Sequence, residues 1–256
     1  MQKYKTGKRP ARPGAIRHKF ATLFDASALP TPPVVFGRTS YFPEDGWGML
    51  ANDQVGNCVV AGGMHETMLL GALGGHGAPR FTDGDALADY SAITGYVPGH
   101  DDTDNGTDMV DAAHYRQRTG LIDAAGRRHK IDGFVSLHAG DVEEVVLAAY
   151  LFGVIGLGAD LPTNADDQFD AEQPWSLTPH PGHGGGHYFS CVGRNHEGNL
   201  LVVTWGRLHA VEPAWLAERM DEGVAYISRE ALRGNELLNQ RNMDWSAIER
   251  ALGRFT

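Results

Sequence analysis

The stretch Asn52-Asp53-Gln54-Val55-Gly56-Asn57-Cys58-Val59-Val60-Ala61-Gly62 decides how this chain is read. A polar, glycine-containing turn runs into an apolar segment that reads as a helix, and Cys58 stands at the junction. A helix N-terminus favours an anion, so a thiol placed there is expected to have a lowered pKa and more thiolate. A lone cysteine at such a place is more often a small buried apolar residue. A nucleophilic role needs a base, and His187 in Gly184-Gly185-Gly186-His187-Tyr188-Phe189 is the best candidate.

The chain has 256 residues, 42% hydrophobic and 21% charged, enough for a sizeable core in one large domain or two small ones. No segment approaches the roughly 18–20 apolar residues of a membrane span. Met1 to Phe20 is basic, contains proline and lacks an apolar core, which argues against a secretory signal. A cytoplasmic or virion-associated location is therefore expected, with no membrane partner. With only Cys58 and Cys191, a disulfide scaffold is excluded and both thiols are expected to be free. Cys191 falls in an apolar strand and reads as core.

The net charge of −10 is unevenly spread. Residues 1–40 carry Lys3, Lys5, Lys8, Arg9, Arg12, Arg17, Lys19 and Arg38 against one acid, Asp25. That is about +7, leaving about −17 on the rest. Such an arm either lies on the chain's own acidic surface or docks on a protein assembly partner through residues 1–40. The acidic body argues against nucleic acid.

Residues 1–46 read as an extended arm, broken by Pro10, Pro13, Pro30, Pro32, Pro33 and Pro43, with a short helical turn within Ile16 to Phe24. Helices are expected over Cys58–Leu73, Gly84–Thr94, Met109–Thr119 and Val142–Phe152. Strands are expected over Val154–Ala159, Tyr188–Val192, Leu200–Thr204 and Tyr226–Ser228. Asp244 reads as the cap of a last helix from Trp245 to Leu252. Helices gather before strands, which argues an α+β fold with a cleft between the halves.

His180, His183 and His187 have metal-like spacing, but Pro181 and four glycines forbid the helix that would converge them, and no metal or other cofactor is expected. Asp101 to Asp108 lacks the twelfth-position acid of a calcium loop and reads as a solvated acidic loop. His65, two turns after Cys58, reads as packed or exposed rather than catalytic.

Four segments, in order, resemble the papain-like cysteine peptidases, and their bacterial and phage-encoded members more than the plant or lysosomal ones. Asp53-Gln54-Val55-Gly56-Asn57-Cys58 resembles the nucleophile turn. Asp104-Asn105-Gly106-Thr107-Asp108-Met109, followed by a helix and Gly120-Leu121-Ile122, resembles the glycine-containing loop and the helix after it. Phe152-Gly153-Val154-Ile155-Gly156-Leu157-Gly158-Ala159 resembles an inner strand. Gly186-His187-Tyr188-Phe189-Ser190-Cys191-Val192-Gly193 resembles the base-bearing strand, with Trp205-Gly206 further on. The likeness covers about residues 47–206; the arm lies before it, and the papain-like domain at 47–256 carries a C-terminal extension from about 207 that the likeness does not reach.

The resemblance implies a helical half carrying Cys58 packed against an antiparallel half carrying His187. It implies a thiol hydrolase acting on peptides or proteins, with Gln54 or Asn52 assisting the Cys58 N–H at the oxyanion and Trp205 shielding the pair. Gln54 is the favoured amide, although Asn52 holds the family's usual spacing. The family's base-orienting asparagine falls at Val203, which cannot accept an imidazole N–H. Thr204 is adjacent, but strand alternation turns it to the other face. A Cys58/His187 dyad is thus expected, with its third member missing or supplied from elsewhere. The alternative is a catalytically impaired binding or structural protein, such as a virion component docked through its arm. In a further reading the arm is a propeptide that occludes the cleft.

Overall fold

The computed structural model describes residues 3–24, 29–37, 39–43, 46–179 and 181–228, so the helix expected from Trp245 lies outside the described residues. Among the described residues the α-helices are, in chain order, α1 (Phe20–Leu23), α2 (Cys58–Leu73), α3 (Asp83–Thr94), α4 (Met109–Arg118), α5 (Val142–Phe152), α6 (Ala165–Asp170) and α7 (Pro213–Arg219). The strands are β1 (Phe36–Gly37), β2 (Leu121–Ile122), β3 (Arg128–His129), β4 (Gly133–Leu137), β5 (Ile155–Leu161), β6 (Gly185–Arg194), β7 (Leu200–Thr204), β8 (Arg207–Val211) and β9 (Met220–Ile227).

The helix starts follow capping chemistry. Thr82 and Asp85 form a reciprocal capping box on α3. Asp108 accepts the Val110 and Asp111 N–H groups of α4, and Asp141 accepts Glu144 N–H on α5. Helix α2 is buried on nearly every side, as its almost unbroken apolar sequence requires.

The main sheet is antiparallel, in the order β4-β9-β5-β6-β7-β8, with β1 also on β6. Residues after Gly206 are integral to it: β8 closes one edge, and β9 lies between β4 and β5. Strand β4 escaped the pattern reading because it is buried at four of its five positions rather than alternating, and β8 was not expected either. One sheet face packs on α5 and α7 through Val145, Leu151, Phe152, Leu157, Phe189 and Trp215. The other meets α2 and α4.

At that second face sits a buried polar network. Glu66, midway along α2, accepts from Arg116 of α4, from Tyr188 Oη of β6 and from Ser190 Oγ at 3.2 Å. The Arg116 guanidinium lies 3.9 Å from the centre of the Tyr226 ring of β9. Glu66 and Arg116 are both buried, so each charge depends on the other. The substitution Glu66→Gln keeps the shape but strands the Arg116 charge. It should cost roughly 3–5 kcal/mol of stability, read as a lowered urea midpoint.

Candidate active site

Cys58 is the first residue of α2 and is 1% exposed. Burial pushes its thiol up to about 11, against smaller downward pulls from the backbone N–H groups of Tyr188 and Gly7 and from the Lys8 ammonium. The helix start alone led to the opposite expectation. Desolvation outweighs the helix field because the chain's own arm covers the sulfur.

His187 is wholly buried near the start of β6. Its Nε2 lies 2.7 Å from Thr204 Oγ1, and its Nδ1 has no hydrogen-bond partner. Trp205 stacks on the imidazole at 4.6 Å between ring centres. Thr204 therefore supplies the contact that the sequence reading found missing at Val203. The register explains why. Val203 pairs with Ser190 and so shares the face turned to α2, where it packs with Trp47, Leu69 and Leu73. Its neighbour Thr204 takes the face of His187 and Phe189.

The turn that follows has only two residues, since Thr204 pairs with Arg207. Trp205 (φ 45°) and Gly206 (φ 79°) are both left-handed, as a tight primed hairpin turn demands. This turn folds the indole back over His187. The left-handed backbone at Trp205, rare for a bulky side chain, stands beside the site.

Residues 3–12 lie along the cleft. Lys3 pairs with Asp170, Tyr4 stacks on Trp205 at 4.6 Å, and the Trp205 indole N–H donates to Lys5 O at 3.2 Å. Gly7 and Lys8 both donate N–H to Gly186 O, while Thr107 N–H donates to Gly7 O and Arg9 N–H to Thr107 O. The segment thus bridges both halves as an added strand. A Cβ on Gly7 would stand 1.9 Å from Gly56 O, so only glycine passes over the turn before Cys58. Arg12 then pairs with Asp108 and Asp111.

The two oxyanion candidates part company. Asn52 is buried and its amide donates at 3.4 Å to Val55 O in its own turn, whereas Gln54 is exposed. The acidic loop is not simply solvated. Asp104 accepts Gly56 N–H and Tyr90 Oη, holding the cysteine turn to the loop, and Asp108 is a buried cap. Of the histidine run, His183 pairs with Asp160 at 2.7 Å on the surface and His187 is buried with Thr204, while His180 lies outside the described residues. His65 is buried and bonds Gly48 O at 2.9 Å. Cys191 is free and core-buried, its thiol pushed up to about 12 by burial. No helix among the described residues is long and apolar enough to cross a membrane.

Sequence reasoning named Thr204 but turned it to the wrong face, and it missed Lys8, Asp221, Glu222 and the Glu66 network. Glu66 had a signal: it is the one ionised group in an otherwise apolar helix. Nothing in the sequence set Lys8 apart from the other basic residues of the arm.

An antiparallel sheet, a buried helix opening on a cysteine and a histidine at the start of the facing strand define the papain-like cysteine protease fold. Solved structures agree. The chain is similar to xylellain, a cysteine protease from Xylella fastidiosa, with TM-score 0.61 and 14% identity over 89% of this chain and 97% of that one. It is similar also to procathepsin B S9 from Trypanosoma congolense, with TM-score 0.62 and 12% identity over 87% and 86% of the two chains. The Carica candamarcensis cysteine protease CMS1MS2 aligns with TM-score 0.55 and 11% identity, over 77% of this chain and 99% of that one. No family model and no curated protein matches the sequence.

Burial pushes His187 down to about 3, and His65 and His209 to about 4. Unfolded, each titrates near 6.5, so below that pH the unfolded chain binds more protons and stability falls as the pH drops toward the folded values. The slope is about 1.4 kcal/mol per pH unit for each histidine within its window. Urea midpoints at pH 7 and 4.5 should show the loss, and His187→Gln should show a smaller difference between the two.

Proposed function

We propose that this protein is a papain-like cysteine peptidase that cleaves peptide bonds through Cys58 and His187 and is kept latent by its own residues 3–9. The observation that carries the reading is the arrangement of His187: Nε2 held by Thr204, Nδ1 without a partner, and the ring under Trp205, on the strand facing the Cys58 helix. With Nε2–H donating to Thr204 Oγ1, Nδ1 keeps the lone pair a base needs.

With the arm displaced, water and the helix N-terminus act on the sulfur again and its pKa falls. His187 takes the thiol proton, and the sulfur attacks the peptide carbonyl carbon. The oxyanion is held by the Cys58 N–H and by Gln54, the amide not spent within its own turn. His187 returns the proton to the departing amine. Water, deprotonated by the same imidazole, then releases the acyl group and restores the thiol. Thr204 positions the ring. The alternative, a non-catalytic docking protein, drew its motive from Val203 in place of an acceptor and from the basic, Pro-rich arm; Thr204 beside His187 weakens the first. The arm's ion pairs with Asp108, Asp111 and Asp170 give its positive charge partners within the same chain.

With the arm loosened by Lys8→Gln, treatment with a thiol-reactive peptide electrophile should give a single adduct at Cys58. Labelling of Cys191 alone, or of neither thiol, would overturn the reading. Thr204→Val should lower kcat about a hundredfold with little change in KM, because the imidazole loses its orientation. Thr204→Ser should restore most of the rate.

A further inference from the structure

We propose that Asp221 and Glu222 form a specificity pocket that selects a lysine or arginine side chain, so that the substrates of this cleft are basic peptides. This extends the reading of Cys58 as a peptidase nucleophile and rests on it. The pocket is occupied here by Lys8. Its side chain is 0% exposed, and its ammonium lies 2.8 Å from Asp221 Oδ2, 3.1 Å from Glu222 Oε1 and 3.0 Å from Arg9 O. Three donors thus meet three acceptors, which is what a buried ammonium requires.

The slot that takes the aliphatic stem is shaped for it. A Cβ at Gly158 would stand 2.1 Å from Lys8 Cε and 2.9 Å from Met109 Sδ, so a side chain on that inner strand would close the passage. Emptied of Lys8, the slot would present two carboxylates; with Lys8 in place Asp221 is 37% and Glu222 15% exposed. A basic group offsets their repulsion. An apolar side chain leaves both charges unpaired, and an acidic one adds a third.

The main chain ties this slot to the chemistry. Gly7 N–H approaches the Cys58 sulfur, and Lys8 N–H donates to Gly186 O, the residue before His187. Gly186 O and the N–H and C=O of Thr107 are open to any extended peptide that displaces the arm. A peptide carbonyl laid over the sulfur brings a neighbouring side chain to the mouth of the acidic slot. The arm shows which kind of side chain the slot accepts.

The test uses the full chain in two measurements. In the first, Cys58 alkylation by iodoacetamide is timed by intact mass in Lys8→Arg and Lys8→Gln chains. Arginine should keep the wild-type protection and glutamine should lose it, with labelling about tenfold faster. Equal protection by glutamine overturns the pocket's preference for a cation. In the second, the Lys8→Gln chain is offered two peptidyl vinyl sulfones that differ only in carrying arginine or norleucine at the slot position. The arginine probe should label Cys58 about tenfold faster, and D221N/E222Q added to that chain should abolish the advantage. Equal rates, or an advantage that survives D221N/E222Q, overturn the proposal. If iodoacetamide follows the charge order while neither peptidyl probe labels Cys58, the peptidase reading fails and the basic-peptide assignment falls with it.

Discussion

The buried Glu66–Arg116 pair is the interaction on which the rest of the structure depends. Glu66 belongs to the helix that begins at Cys58, and its remaining acceptor capacity goes to Tyr188 and Ser190 on the strand that begins just before His187. One carboxylate therefore sets the registration of the helical half against the sheet half. Buried ion pairs contribute little net stability compared with good apolar packing, but they penalise misalignment heavily, because any slip leaves a charge unpaired in the interior. Cys58 and His187 come from different halves, and the proposed mechanism depends on that constraint.

The same low polarity governs the site's protonation. With the arm in place, burial drives the Cys58 thiol up and the His187 imidazole down. Both groups are held neutral, which is the opposite of an activated ion pair. In the proposed latent state the arm is more than a steric cover: by excluding water it removes the charge separation that a nucleophilic thiol needs. Its anchoring is spread over unlike contacts, with an indole stack at Tyr4, a backbone bridge at Gly7–Arg9 and a buried ammonium at Lys8. Release requires all three to give way, and the ammonium is the one whose loss leaves charges behind.

Much was legible in the chain because local rules dominate there. Helix α2 begins and ends where its turn residues and apolar run place it, and β7 has the expected limits. Cys58 and His187 stood out because a reactive side chain next to a glycine-rich turn is a local signal. The buried, non-alternating β4, the edge strand β8 and the first part of β9 were not legible, whereas the end of β9 was expected as a strand from Tyr226.

By itself the sequence determined the α+β class, the central helix that opens on Cys58 and the strand that carries His187, because each rests on periodicity, turn chemistry or ordered local motifs. The tertiary structure alone decided that Thr204 rather than Val203 stands behind His187, because facing is set by register with β6, and one residue of register reverses every side chain. It alone decided the state of the thiol, because desolvation comes from a segment about fifty residues away in the chain. And it alone singled out Lys8 among the arm's basic residues, because only folding brings Asp221 and Glu222 to face it.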